Sequence, residues 1–221
     1  MKVISNTAIT LDGRISPTRD RFSAPGSRTD HRMMSRLRNQ VDAILIGGNT
    51  FRATPIPLVP NAADLEEAPR PLPMWNVIVS ASFDLPRPER WLHDPRIRRL
   101  ILTAGREAAE EDEVEIVSYP GAPPIPLPWI IETLEARGIH QLLVEGGGQL
   151  VYQFLRDGLL DELYLTLCPK ILGVRGAPSL ADGPCPLGSP YRSLHLCSAD
   201  VIGDEIFLLY RRPDRLPLSA E

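Results

Sequence analysis

The chain has 221 residues, 43% of them apolar and 24% charged, which suits one sizeable globular α/β domain and requires no second. Its formal net charge of -4 argues against a general nucleic-acid or anionic-membrane binder, since both need a basic face, but it leaves room for a local basic pocket. Cys168, Cys185 and Cys197 are scattered and unpaired in spacing, as in reduced thiols of a cytoplasmic protein. The opening MKVISNTAITLDG has no unbroken apolar run of signal-peptide length, and no later segment is long enough to span a membrane.

In chain order, short β-rich runs alternate with helical patterns, the signature of an α/β layer fold. Strands are expected at 2–8, 43–46, 76–80, 99–103, 114–118 and 141–144, then at 163–167, 193–198 and 205–210. Helices are expected at 30–40 with Thr29 as N-cap, at 128–137 stopped by Gly138, and at 149–157 stopped by Gly158. The last three strands have no long helical pattern between them, so the C-terminal part should fold back as antiparallel strands. The expected architecture is a mixed sheet with helices on both faces. Proline clusters at 55–73, 120–128 and 178–190 mark stiffened loops. No repeat or composition break divides the chain, so residues 1–212 read as one domain and 213–221 as a loose tail.

The stretch LLVEGGGQLVYQFL, residues 142–155, is the first sign of chemistry. An apolar strand runs into Glu145 and three glycines, and a helical pattern follows at once. Glycines let the backbone approach an anion closely, and the helix N-terminus offers unpaired N–H groups with a favourable dipole. It is not the G-x-G-x-x-G dinucleotide fingerprint and comes late in the chain, so a Rossmann reading fits poorly. The plain alternative is a tight strand-to-helix turn, for which one glycine would suffice. A similar glycine-rich strand end, Gly47-Gly48-Asn49-Thr50, closes the stretch LRNQVDAILIGGNTFRAT at 37–54. Two such loops at the carboxyl ends of strands are what open α/β sheets use to bind ligands. A third element, TAITLDGRIS at 7–16, alternates as a strand and breaks at Asp12-Gly13, a turn signal.

Together with FLRDGLLDELYL and PKILG at 154–173, these motifs closely resemble the reductase domain of bacterial riboflavin biosynthesis over residues 1–212. The resemblance implies a dihydrofolate-reductase-like, three-layer α/β/α fold with a mixed, mostly parallel sheet. It also implies NADPH as hydride donor, a homodimer, and a ribosylaminopyrimidine 5′-phosphate whose ribose is reduced to a ribityl chain. Carried over by motif, Gly147, Gly148, Gln149 and Leu150 would hold the cofactor pyrophosphate, with Gly48 and Thr50 beside it. Glu145 would contact substrate and help proton transfer, Arg38 would bind its phosphate, with Lys170 in support, and Asp12 and Arg14 would lie near the reacting sugar. Ser80 and Arg106 are candidates for the 2′-phosphate of NADPH.

This chain departs from the family where Thr54 replaces an aspartate after the second glycine loop, so a hydroxyl remains but the charge is gone. Asn61 stands near the place of a downstream arginine. The zinc deaminase that fused members carry needs H-x-E and P-C-x-x-C, and neither is present, so no metal site is expected. Two other functions stay open at this point. One is a reductase of another heterocycle, such as a dihydrofolate-type pteridine, which would favour a carboxylate pairing with the ring. The other is a non-catalytic NADPH-binding module, for which Thr54 is the main support.

Overall fold

The computed structural model describes residues 1–19, 23–105, 109–111, 113–188 and 191–213. Arg106 and most of the expected tail, 214–221, lie outside the described residues. Ten strands form one continuous sheet in the order β5-β6-β4-β3-β2-β7-β1-β8-β10-β9. They are β1 (Lys2–Ile9), β2 (Ala43–Gly47), β3 (Met74–Val79), β4 (Ile97–Ala104), β5 (Ala109–Glu111), β6 (Val114–Tyr119), β7 (Gln141–Val144), β8 (Glu162–Leu167), β9 (His195–Ile202) and β10 (Glu205–Arg211). From β6 to β8 every neighbouring pair is parallel, while β10 and β9 add antiparallel strands at one edge and β5 at the other. The mixed, mostly parallel sheet with an antiparallel C-terminal part is therefore as expected. β8 is shared, parallel to β1 and antiparallel to β10. β5 was not expected, because three residues rich in glutamate carry no apolar alternation.

Helices α1 (Arg28–Gln40), α2 (Gly48–Ala53) and α3 (Glu89–Leu92) pack on one face, and α4 (Leu127–Glu135) and α5 (Gly148–Arg156) on the other. The central strands alternate between these two cores. In β2, Ala43 and Leu45 join the α4–α5 side, while Ile44 and Ile46 join the α1–α3 side. A strand buried on both faces reads as a continuous apolar run, which is why AILIG has no polar residue. Helix α5 buries Leu150, Val151, Phe154 and Leu155 against the sheet, each stabilising by roughly 1.5–3 kcal/mol. Gly158, at φ +65°, ends it in a backbone conformation that glycine adopts without strain.

Helix α1 begins earlier than expected, and its cap is Ser27, not Thr29. The Ser27 hydroxyl oxygen accepts from the Thr29 N–H at 3.0 Å, which leaves Thr29 inside the first turn. Both residues are good caps, and tertiary contacts decide between them. Glu205 of β10 accepts from the Ser27 N–H at 2.9 Å and from its hydroxyl at 2.6 Å.

Candidate functional site

The strand order places a crevice at the centre of the sheet. β7 lies between β2 and β1, so strands distant in sequence end side by side. From β2 the chain turns into α2 on one face, and from β7 it turns into α5 on the opposite face. Loops that leave neighbouring parallel strands in opposite directions cannot cover the strand ends, and a binding crevice opens there. Here it is a cleft of about 600 Å³.

One half of the cleft is made by the two glycine loops. The hydroxyl of Thr50, in α2, accepts from the Gly147 N–H at 3.1 Å and ties the loops together. Gly47 and Gly147 are the N-caps of α2 and α5, and neither helix has a side-chain cap. The first N–H groups of a helix have no acceptor within it, so both N-termini present donors and positive dipole ends to the cleft.

The glycines separate into two kinds. A Cβ on Gly48 would lie 2.3 Å from the Ser80 hydroxyl, one on Gly146 would meet the Leu150 side chain at 2.7 Å, and one on Gly148 would lie 2.3 Å from the Ser179 carbonyl oxygen. The fold itself calls for glycine at Gly48 and Gly148, while at Gly146 the Leu150 side chain would have to turn aside. Gly47 and Gly147 differ. Their φ angles of -78° and -60° are open to any residue, and a Cβ on Gly47 would meet nothing within 4 Å. On Gly147 the nearest atom would be the Thr50 hydroxyl at 3.5 Å. Nothing among the described residues explains those two glycines. A ligand that approaches the backbone does, so the cradle fits the diphosphate of a dinucleotide.

Thr54, Ser80, Gln149 and Leu150 also line this half. Thr54 closes α2, its N–H bonded to the Thr50 and Phe51 carbonyls, and Ser80 donates its hydroxyl to the Ser82 carbonyl at 2.5 Å. The loop after α2 is held to β3 by Asn76, whose side-chain amide exchanges two bonds with the Leu58 backbone at 2.7 and 2.8 Å.

The other half is built by β1, by the end of β7 and by one face of α1. Asp30, Met34 and Arg38 are spaced four residues apart, so they share a helix face, and all three line the cleft. Arg38 grips Glu145 through a fork, with Nε to Oε1 at 2.7 Å and Nη2 to Oε2 at 2.6 Å, and its Nη1 donates to the Val59 carbonyl at 3.0 Å. The two side chains are only 12% and 10% exposed. Arg38 is thus not presented alone to a phosphate as expected. It is largely engaged in aiming the Glu145 carboxylate into the cleft.

Asp12 and Arg14 are not brought to the cleft; among the described residues, neither lines it. The Asp12 carboxylate accepts from the Thr10 hydroxyl at 2.6 Å and from the N–H groups of Leu172 and Gly173 at 3.0 and 2.8 Å. The Thr10 bond foremost, then the two N–H donors, holds its carboxyl well below the usual carboxylate range. It pins the first turn to the 170–173 loop. Arg14 donates to the Ala177 carbonyl at 2.8 Å, and Lys170 donates to the Pro25 carbonyl at 2.5 Å. The D-G-R motif was legible as a turn, but only the fold shows which way its side chains face. Among the described residues, no group of three or more His, Cys, Asp or Glu side chains could hold a metal ion.

The sequence reading missed Asp30. It is 4% exposed and lines the cleft, and its Oδ1 has no hydrogen-bond partner among the described residues. Burial raises its carboxyl above the ordinary value, partly offset by the Thr166 hydroxyl, and the nearby charges of Glu205 and Glu145 add to the rise. At the start of a helix, S-x-x-D reads as a capping box, in which the acid would bond back to the Ser27 N–H. Glu205, from the far end of the chain, holds that N–H instead. No local pattern reveals that displacement.

The protein matches the family described as RibD C-terminal domain over residues 1–208. It is 31% identical over 193 residues to a 2,5-diamino-6-ribosylamino-4(3H)-pyrimidinone 5′-phosphate reductase of Archaeoglobus fulgidus, covering 82% of this chain and 86% of that one. The protein of the same name from Methanothermobacter thermautotrophicus is 33% identical over 185 residues, covering 82% and 83%. In fold it resembles RibD of Acinetobacter baumannii, with a TM-score of 0.77 at 20% identity, covering 95% of this chain and 57% of that one. It also resembles a pyrimidine reductase-like protein of Corynebacterium diphtheriae, with a TM-score of 0.73 at 21% identity, covering 95% and 91%. A sheet with helices on both faces, two glycine loops at its centre and these matches along nearly the whole chain place the protein in the RibD C-terminal domain family.

Proposed function

We propose that residues 1–212 form a single NADPH-dependent reductase of riboflavin biosynthesis, which converts the ribosyl group of a ribosylaminopyrimidine 5′-phosphate to ribityl. The observation that carries this reading is the pair of uncapped helix N-termini whose N-cap glycines the fold does not require. The names of the two archaeal relatives supply the substrate class. NADPH supplies a hydride when bound. Gly47, Gly147, Gln149 and the first turns of α2 and α5 would hold its diphosphate. Thr50 fixes the two loops relative to each other, and Thr54, Ser80 and Leu150 shape the mouth. On the opposite side Glu145, aimed by Arg38, faces the sugar. It handles the proton as the ribosyl ring opens to an imine at the anomeric carbon, the position that is then reduced. The remaining N–H donors of Arg38, with Arg19, which lines the cleft 3.6 Å from Asp182, would meet the substrate phosphate.

The enzyme works in this reading as a cytoplasmic homodimer. β9 is exposed along its whole length, with Leu196 at 46%, Val201 at 72% and Ile202 at 47%, so the sheet ends in an apolar edge suited to a second copy. A sedimentation mass of one chain at micromolar concentration would overturn that part.

The test of the activity is to follow NADPH oxidation with three compounds in turn: the diaminopyrimidinone ribosylamine 5′-phosphate, its deaminated uracil counterpart, and dihydrofolate. Turnover of a phosphoribosyl compound is expected. Turnover of dihydrofolate alone would move the protein to another heterocycle. Saturable NADPH binding with no oxidation would make it a non-catalytic module.

A further inference from the structure

Several buried side-chain oxygens around the substrate half of the cleft are unpaired. Among the described residues, four buried side-chain oxygens have no partner, and three of them, Asn6 Oδ1, Thr7 Oγ1 and Asp30 Oδ1, belong to residues that line this one cleft. Unpaired buried polar atoms are costly to the free protein, so a cluster of them at one site needs an explanation. Asn6 and Thr7 are neighbours on β1 and face opposite sides of the sheet; Asn6 shares the face of Asp30, and its Oδ1 and the ionised Asp30 carboxylate can only accept, while the Thr7 hydroxyl can also donate. The ligand that would satisfy them is rich in N–H groups.

Asp30 is held in place for such a ligand. The cap bond that would otherwise occupy it is taken by Glu205. Gly26 makes room for its carboxylate, since a Cβ there would lie 2.1 Å from Oδ2. The Thr166 hydroxyl of β8 supports it from the sheet. The cationic side chain nearest along its helix face, Arg38, is committed to Glu145. Among the described residues Asp30 makes no ion pair, its neighbour His31 acting on it only through charge, and a buried carboxylate in that position is best matched by two parallel N–H groups of a planar ligand.

From this geometry we infer that Asp30 reads the amino edge of the pyrimidine, pairing with the 2-amino group and the adjacent ring N–H, with Asn6 on the same face of the sheet. The inference rests on the reductase reading above and deepens it, because it fixes which pyrimidine is accepted. The diaminopyrimidinone presents donors to the carboxylate. In its deaminated counterpart a carbonyl oxygen stands where the amino group was, so two acceptors face each other, which is repulsion built against the wrong substrate. The protein therefore acts before deamination.

The experiment compares kcat/KM for the two phosphoribosyl compounds with the wild-type protein and with Asp30→Asn. Buried polar groups left unpaired by an analogue give strong rejection, so the wild type should prefer the diamino compound by about a hundredfold or more. In Asp30→Asn an amide offers one donor and one acceptor, and can face the carbonyl edge. Turnover of the diamino compound should fall by about a hundredfold while that of the uracil compound holds or rises, so that the ratio collapses or inverts. An equal loss with both compounds, or a wild type that prefers the uracil, overturns the inference and leaves the reductase reading standing. Turnover of neither by the wild type removes both. A measurement that needs no variant is inhibition of the wild type by free 2-aminopyrimidin-4-one and by free uracil. The first should inhibit competitively and the second should not, and equal inhibition would also overturn the assignment.

Discussion

Replacing Arg38 by leucine is expected to destabilise the protein by about 3–5 kcal/mol, because it leaves Glu145 as an uncompensated, largely buried charge. Turnover should be lost at the same time, since the carboxylate is then no longer aimed. The magnitude follows from burial: an exposed pair of the same geometry would contribute about 1 kcal/mol at most. Removing both partners should separate the two roles. In the double variant Arg38→Leu with Glu145→Leu, no charge is left stranded, and most of the lost stability should return while activity stays absent. Urea denaturation midpoints and NADPH oxidation measure the two effects independently. If the double variant is as unstable as Arg38→Leu, the fork does not act as a pair. Glu145→Gln, which keeps the shape and one acceptor, should lower turnover much more than NADPH affinity. Loss of cofactor binding alone would mean that Glu145 faces the wrong ligand.

The second large effect contrasts adjacent glycines. Gly148→Ala should destabilise by roughly 1–3 kcal/mol, since its methyl would lie 2.3 Å from the Ser179 carbonyl oxygen, where relief requires the 179–182 backbone to move. Gly147→Ala should leave the unfolding midpoint within about 0.5 kcal/mol of the wild type, as expected of a change that meets no crowding and no strained φ. Its methyl would stand in the cradle, and NADPH affinity should drop by at least tenfold, about 1.4 kcal/mol. Fluorescence titration with NADPH and thermal melts of the two variants are sufficient. If Gly147→Ala binds NADPH as tightly as the wild type, the diphosphate does not sit at that helix N-terminus.

The parts of the molecule that depend on neighbours in sequence were legible without coordinates. AILIG and LLV read as strands buried on both faces because they contain nothing polar, and α5 read as a helix because its apolar residues recur with the helical period and Gly158 ends it. The two glycine loops read as a ligand site because a strand end, small residues and a helix start are consecutive. What the sequence could not determine by itself was which groups at each site are already engaged. Asp12 was expected near the reacting sugar, yet two N–H groups about 160 residues away hold it. Arg38 looked like a lone cation, and the end of β7 supplies its partner. Asp30 occupies the place of a helix-capping acid, and Glu205 displaces it from that role. In each case the deciding bond spans more than a hundred residues, and a hydrogen bond made by one partner is unavailable to another. Local pattern determined where the backbone could bind. The tertiary structure decided which side chains remained free to do so, because only the assembled sheet brings β8 and β10 to the start of α1 and the end of β7 to its last turn.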